Sequence, residues 1–65
     1  MRVNIMFGLG HVEESGQNDE AMRLLAELGK KIYTESNQLK AGDVFILRDI
    51  NGNRVGVADI LENRQ

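Results

Sequence analysis

The stretch VFILRDINGNRVGVA, residues 44–58, contains the strongest structural signal in the chain. It places two runs rich in β-branched residues on either side of Asn51-Gly52. An Asn-Gly pair in this position is typical of a β-hairpin with a two-residue turn, because both residues tolerate the positive φ angles that the turn requires. The sequence therefore predicts two antiparallel strands joined at residues 51 and 52.

The charges beside the turn distinguish two registers of this hairpin. A two-residue turn places Asp49 opposite Arg54, which is an opposite-charge pair, and it places Ile46 opposite Val57. A three-residue loop instead places Arg48 opposite Arg54, where two positive charges repel each other. The predicted register is therefore the first.

In the predicted register both faces of the hairpin are apolar, because alternate residues of a strand point to opposite faces. One face comprises Phe45, Leu47, Ala58 and Ile60. The other comprises Val44, Ile46, Val55 and Val57. One helix covers only one face of a small sheet, and exposed apolar patches usually mark interfaces. We therefore predict a partner interface on the second face; the alternative is that the loop at residues 8–18, or residues 61–65, folds over it.

Upstream of the hairpin the sequence predicts an amphipathic helix. Asn18 or Asp19 is a suitable N-cap, and acidic residues in the first turn favour the helix dipole. One helical stripe then carries Ala21, Leu24, Leu25, Leu28 and Ile32. The helix could end at Gly29, but the stripe stays in phase beyond it, and an interior Gly costs only about 1 kcal/mol. We predict that the helix continues to about Ser36.

The N-terminal segment predicts a strand followed by a loop. Val3, Ile5, Phe7 and Leu9 alternate with other residues, which indicates a strand over residues 2–9 with one strongly buried face. Residues 8–18 contain three Gly and no apolar periodicity, and are predicted to form a flexible loop.

Together these elements predict one α+β domain over residues 1–65. We expect a two-layer β-α-β-β arrangement: a small three-stranded sheet with one amphipathic helix packed on one face. The first and second strands are expected to run parallel, joined by a right-handed crossover. The strand order stays open at this point.

Composition restricts how so short a chain is stabilised. Natural chains of this size often add disulfides, a metal ion or a partner subunit to a small core. The sequence has no Cys and one His, which excludes disulfides and argues against a structural zinc site, so a partner subunit is the remaining support. Because no long apolar run predicts a membrane span or a secretion signal, we expect a cytoplasmic protein without membrane contact.

The sequence shows no recognisable arrangement for catalysis, cofactor binding or metal binding. The Gly8-Leu9-Gly10 segment lacks the third glycine of a dinucleotide-binding turn. His11 lies near Glu13 and Glu14, but a Gly-flanked polar loop gives these groups no fixed geometry, so a solvated His is expected. We therefore predict no enzymatic activity, cofactor or metal; an active site would require His11 beside a fixed carboxylate in a concave pocket.

The predicted function is a small non-enzymatic protein-interaction module that forms a homodimer or modulates another protein. Mobile genetic elements use many small acidic accessory proteins, so such a role is a general expectation. The alternative is a nucleic-acid-associated regulator. The net charge of -2 and the dispersed basic residues argue against it in a monomer. Dimerisation could, however, align four residues into one basic surface: Lys30, Lys31, Arg48 and Arg54.

Overall fold

The computed structural model describes residues 1–62 and has the predicted element order β-α-β-β. Strand β1 is Arg2–Phe7, helix α1 is Gln17–Glu35, strand β2 is Val44–Arg48 and strand β3 is Arg54–Leu61. A 3₁₀ turn at Glu14–Gly16 directly precedes α1. The predicted α+β class is confirmed.

Strand β3 is the centre of a three-stranded antiparallel sheet with the order β1-β3-β2. It pairs with β1 without interruption from Arg2–Leu61 to Phe7–Gly56, and with β2 along its other edge. Because both outer strands are antiparallel to β3, β1 and β2 run in the same direction, as predicted, with β3 between them. The longest strand thus has hydrogen-bonding partners on both sides.

The hairpin has the predicted register at its centre and the alternative register beside the turn. At its centre Ile46 pairs with Val57, which confirms the prediction there. Beside the turn Arg48 pairs with Arg54, so the predicted pairing of Asp49 with Arg54 was wrong. A β-bulge accounts for the difference, because it places one extra residue in β3 and shifts the pairing by one position.

The turn explains why the bulge forms. The carboxylate of Asp49 accepts hydrogen bonds from the N–H groups of Asn51 at 3.0 Å and Asn53 at 2.8 Å. The predicted two-residue turn needs a positive φ at both Asn51 and Gly52, but only Gly52 has one here, at 87°. Asp49 therefore organises a longer loop over residues 49–53 and does not pair with Arg54.

Helix α1 packs on one face of the sheet, as predicted. Leu24 and Leu28 of α1 are buried. The strand residues that complete this buried core are Phe45, Leu47, Ala58 and Ile60. These are the four residues that the sequence placed together on one hairpin face.

Of the two boundaries of α1, only the C-terminal one agrees with the prediction. The helix continues through Gly29 and ends at Glu35, which confirms the predicted continuation. It begins at Gln17, preceded by Gly16 with no side-chain cap, so the predicted cap at Asn18 or Asp19 was wrong. The preceding 3₁₀ turn leads directly into the helix and takes the place of a side-chain cap.

In residues 1–62 no helix combines the length and hydrophobicity needed to cross a bilayer.

Helix α1 lies towards one edge of the sheet and leaves β1 partly uncovered. Among the strands, β2 makes the closest approach to α1. Val3 and Ile5 share the helix-side face but remain 44% and 41% exposed. The strongly buried face predicted for β1 was therefore wrong; only Phe7 and Leu9, near the following loop, pack against the core. Leu25 of the predicted helical stripe is also exposed.

Replacing Gly29 with Ala should stabilise the protein by about 1 kcal/mol, because Gly29 lies inside α1 and an added methyl group meets no atom within 4 Å. Thermal unfolding should show a Tm higher by roughly 4–8 °C. The matched control, Gly56→Ala, should lower the Tm, because a methyl group there collides with the Met6 carbonyl and with Phe7. Tm changes of the same sign in both variants would contradict this description.

Candidate functional site

The sheet face that points away from α1 carries a row of apolar side chains. Met6 and Ile46 both pair with Val57, so these three residues are direct neighbours across the sheet. Val44 lies on the same face of β2, two residues from Ile46. Met6 is 69% exposed and Val44 is 55% exposed, whereas Ile46 and Val57 are half-buried. We refer to Met6, Val44, Ile46 and Val57 as the open-face patch.

Three of the four residues predicted at the partner interface belong to this patch. The exception is Val55, which packs against the core on the α1 side of the sheet. Val55 is the extra residue of the bulge, so the alternation of faces along β3 is interrupted there. Met6 joins the patch instead. The sequence pattern gave no sign of it, because Met6 lies out of phase with the apolar residues of β1.

The segments proposed as alternative covers do not bury this face in residues 1–62. Leu9 of the loop packs against the core on the α1 side. Gln17 holds the same loop, because its Nε2 donates to the carbonyls of Leu9 at 3.2 Å and Val12 at 3.4 Å. The loop predicted to be flexible is therefore hydrogen-bonded to the start of α1. Leu61 lies at the end of β3, paired with Arg2, and residues 63–65 are outside the described residues.

The described surface includes two open concavities. One, of about 460 Å³, adjoins the open-face patch and is lined in part by Met6, Arg54 and Val57. The other, of about 520 Å³, lies between the end of α1 and the start of β2 and has a mainly polar lining. Neither concavity includes His11.

The four basic residues considered for nucleic-acid binding lie on two sides of the molecule. Arg48 and Arg54 are cross-strand neighbours on the open face. Lys30 and Lys31 belong to α1, which covers the opposite face. Nζ of Lys31 also lies 4.0 Å from the carboxylate of Glu35. Within one chain the structure does not bring these residues together.

His11, Glu20 and Arg23 form a polar cluster that sequence reasoning missed. Nε2 of His11 lies 2.7 Å from the carboxylate of Glu20, and Arg23 donates to the same carboxylate through Nε at 2.7 Å and Nη2 at 2.9 Å. Nη2 of Arg23 also donates to the carbonyl of Arg48 at 3.1 Å. His11, expected to be solvated, is thus held against α1. The cluster connects the loop after β1, the helix and the end of β2.

The carboxylate of Glu20 is held in its charged form. Hydrogen bonds from Arg23 and then from His11 lower the pKa of Glu20 from 4.5 to about 2. A carboxylate with so low a pKa is a poor general base at neutral pH, although it stands beside a His. Among residues 1–62 no group of three or more His, Cys, Asp or Glu is arranged to hold a metal ion. This geometry fits a structural connection between segments.

Comparisons with protein families, with curated proteins and with solved structures find no match for this chain. Its function is therefore argued from the surfaces described above. Of these, the open-face patch is both apolar and accessible.

Replacing Glu20 with Gln should make the free energy of unfolding less dependent on pH in the acid range. Because the pKa of Glu20 is lower in the folded chain, about 2, than its ordinary value of 4.5, ionised Glu20 stabilises the fold above about pH 4.5. This contribution is lost as the pH falls towards 2. Denaturant unfolding of both chains near neutral pH and near pH 2 measures the difference.

The wild type should lose more stability than the variant between these two pH values. Asp49, whose pKa is lowered chiefly by the backbone N–H of Asn53, acts in the same direction, so the variant keeps some acid dependence. Identical losses in both chains would show that the Glu20 cluster does not stabilise the fold.

Proposed function

We propose that this chain is a small non-enzymatic protein-interaction module that binds another protein through the open-face patch. The observation that supports the proposal is the row of Met6, Val57 and Ile46 across all three strands. No other segment of residues 1–62 covers this row, and Met6 is more than half exposed. Apolar surface contributes about 25 cal/mol per Å² when it is removed from water, so a partner gains affinity by covering it.

The charges around the patch favour a partner with acidic residues at its rim. By strand alternation Arg48 and Arg54 lie on the open face near the turn, and Arg2 lies on the same face at the far end of β1. Asp59 is the acidic residue between them. This face is thus more basic than the chain as a whole, whose net charge is -2. Like charges disfavour stacking of two such faces, so the partner on this surface is a different protein.

Within this proposal the protein acts by occupying a surface of its partner, as a modulator does. The proposed location is the cytoplasm, because the sequence without Cys suits a reducing compartment. An accessory role in a mobile genetic element agrees with this type of activity.

Replacing Ile46 with Asp should weaken partner binding at least about 10-fold while the fold is retained, because the change places a carboxylate in the middle of the open-face patch. Ile50→Asp is the matched control, since Ile50 lies in the hairpin loop, is 88% exposed and is outside the patch. Affinity capture followed by Kd measurement with the purified partner compares the three chains. Circular dichroism checks that each is folded.

A partner that binds the wild type and Ile50→Asp alike, but Ile46→Asp at least about 10-fold more weakly, supports the proposal. Equal binding to all three chains contradicts it. A gel shift at low salt addresses the nucleic-acid alternative, and we expect no retardation. Retardation that is lost in Arg54→Ala but kept in Ile46→Asp would favour the nucleic-acid alternative over the proposed function.

A further inference from the structure

Strand β1 forms an unprotected edge of the sheet. Within residues 1–62 it pairs with β3 alone, and its six residues are in continuous register. Natural proteins usually block such edges with proline, charged side chains, bulges or a covering segment, because free backbone groups there pair with other chains. The chain contains no Pro, and the one charged residue of β1, Arg2, stands at its beginning. These protective features are absent from the rest of β1.

The hydrogen-bonding pattern identifies the free backbone groups of β1. The N–H of Gly8 donates to the carbonyl of Val55, whereas the N–H of Ile60 donates to the carbonyl of Asp43, on the β2 side. In an antiparallel pair such hydrogen-bonded positions alternate. The residues of β1 whose backbone groups point to β3 are therefore Arg2, Asn4 and Met6. Those whose N–H and C=O point outward are Val3, Ile5 and Phe7.

The other edge of the sheet, β2, is obstructed. Nη2 of Arg23 donates to the carbonyl of Arg48 at the end of β2. Helix α1 also makes most of its contacts with the sheet at β2. These features disfavour the addition of a strand at β2. In the described part of the chain, β1 is the edge that another strand can join.

Exposed apolar side chains are concentrated around the β1 edge. Those on β1 itself are Val3, Ile5 and Met6. Val3 and Ile5 lie on the helix-side face of β1, and Met6 lies on the open face. The edge therefore combines free backbone N–H and C=O groups with apolar side chains that are exposed to solvent.

We infer that a second copy of this chain pairs with β1, strand against strand, in antiparallel orientation about a two-fold axis at Ile5. Ile5 then faces Ile5 of the second copy, and Val3 faces Phe7 of the second copy. Each facing pair exchanges two hydrogen bonds, so all the outward groups of these residues are satisfied. No like charges face each other in this register, and apolar residues meet on the helix side.

The pairing goes beyond the proposed function, because it leaves the open-face patch free and places two copies of it on one continuous sheet.

Amide hydrogen exchange of the wild type tests this pairing without any substitution. In a monomer the amides of Val3, Ile5 and Phe7 exchange quickly, whereas those of Asn4 and Met6 are protected. We expect both sets to be protected, the first set increasingly at higher protein concentration, and a native mass of about twice 7.3 kDa. Fast exchange of the first set at every concentration, together with a monomeric mass, would overturn the inference.

A charge exchange at the two-fold axis tests the register. Ile5→Lys and Ile5→Glu should each raise the dimer Kd at least about 10-fold, because like charges then face each other at the axis. A 1:1 mixture of the two variants should restore the dimer, because opposite charges then meet. Ile50→Lys, a change of the same kind at an exposed loop position, should leave the mass unchanged.

The outcomes of this experiment separate the inference from the proposed function. A dimer that survives Ile5→Lys but is lost in Ile46→Asp would overturn the β1 pairing and assign self-association to the open face. Failure to find a partner for the open-face patch leaves the mass and exchange results at β1 unaffected. If the Ile5 variants do not fold, the exchange pattern of the wild type decides the question alone.

Discussion

The packing of Leu24 and Leu28 against the sheet is the interaction on which the rest of this structure depends. These two helix residues, with four side chains from β2 and β3, form the whole buried core of the described chain. An α-helix is about 10 Å wide and strands are about 4.8 Å apart, so one helix covers about two strands. With α1 placed over β2 and β3, β1 stays partly uncovered on the helix side, where Val3 and Ile5 are 44% and 41% exposed.

The open-face patch and the β1 edge are both exposed because one helix cannot cover the whole sheet. Residues 1–62 provide one long helix for a sheet with two faces and two edges, so within this range the open-face patch and the β1 edge stay accessible. A larger domain would cover such surfaces with further segments of its own chain. Under both proposals, contacts with other protein chains supply this cover. Self-association at the edge and partner binding on the face use different residues, so both can occur at once.

Polar interactions position the elements around this core. Glu20 and Arg23 connect α1 to the end of β2, and Asp49 organises the hairpin loop that follows. The hydrogen bond from Arg23 also engages the carbonyl of Arg48 at the end of the β2 edge. The His11–Glu20 pair has the composition of a catalytic dyad, but Arg23 donates to both oxygens of the same carboxylate. Its role in the structure is to hold the loop against the helix.

The sequence by itself determined the elements and their order, the continuation of the helix through Gly29, and the pairing of Ile46 with Val57. These features depend on periodicity and turn chemistry within short stretches, which are readable without the fold. Tertiary structure decided the exposure of β1, the position of Val55 on the core side of the sheet and the contact of His11 with Glu20. These features depend on how segments that are distant in sequence pack together. The hairpin register near the turn depends in addition on which groups bind the carboxylate of Asp49. Asp49 shows the difference, because its carboxylate binds the loop backbone instead of the arginine that its charge predicts.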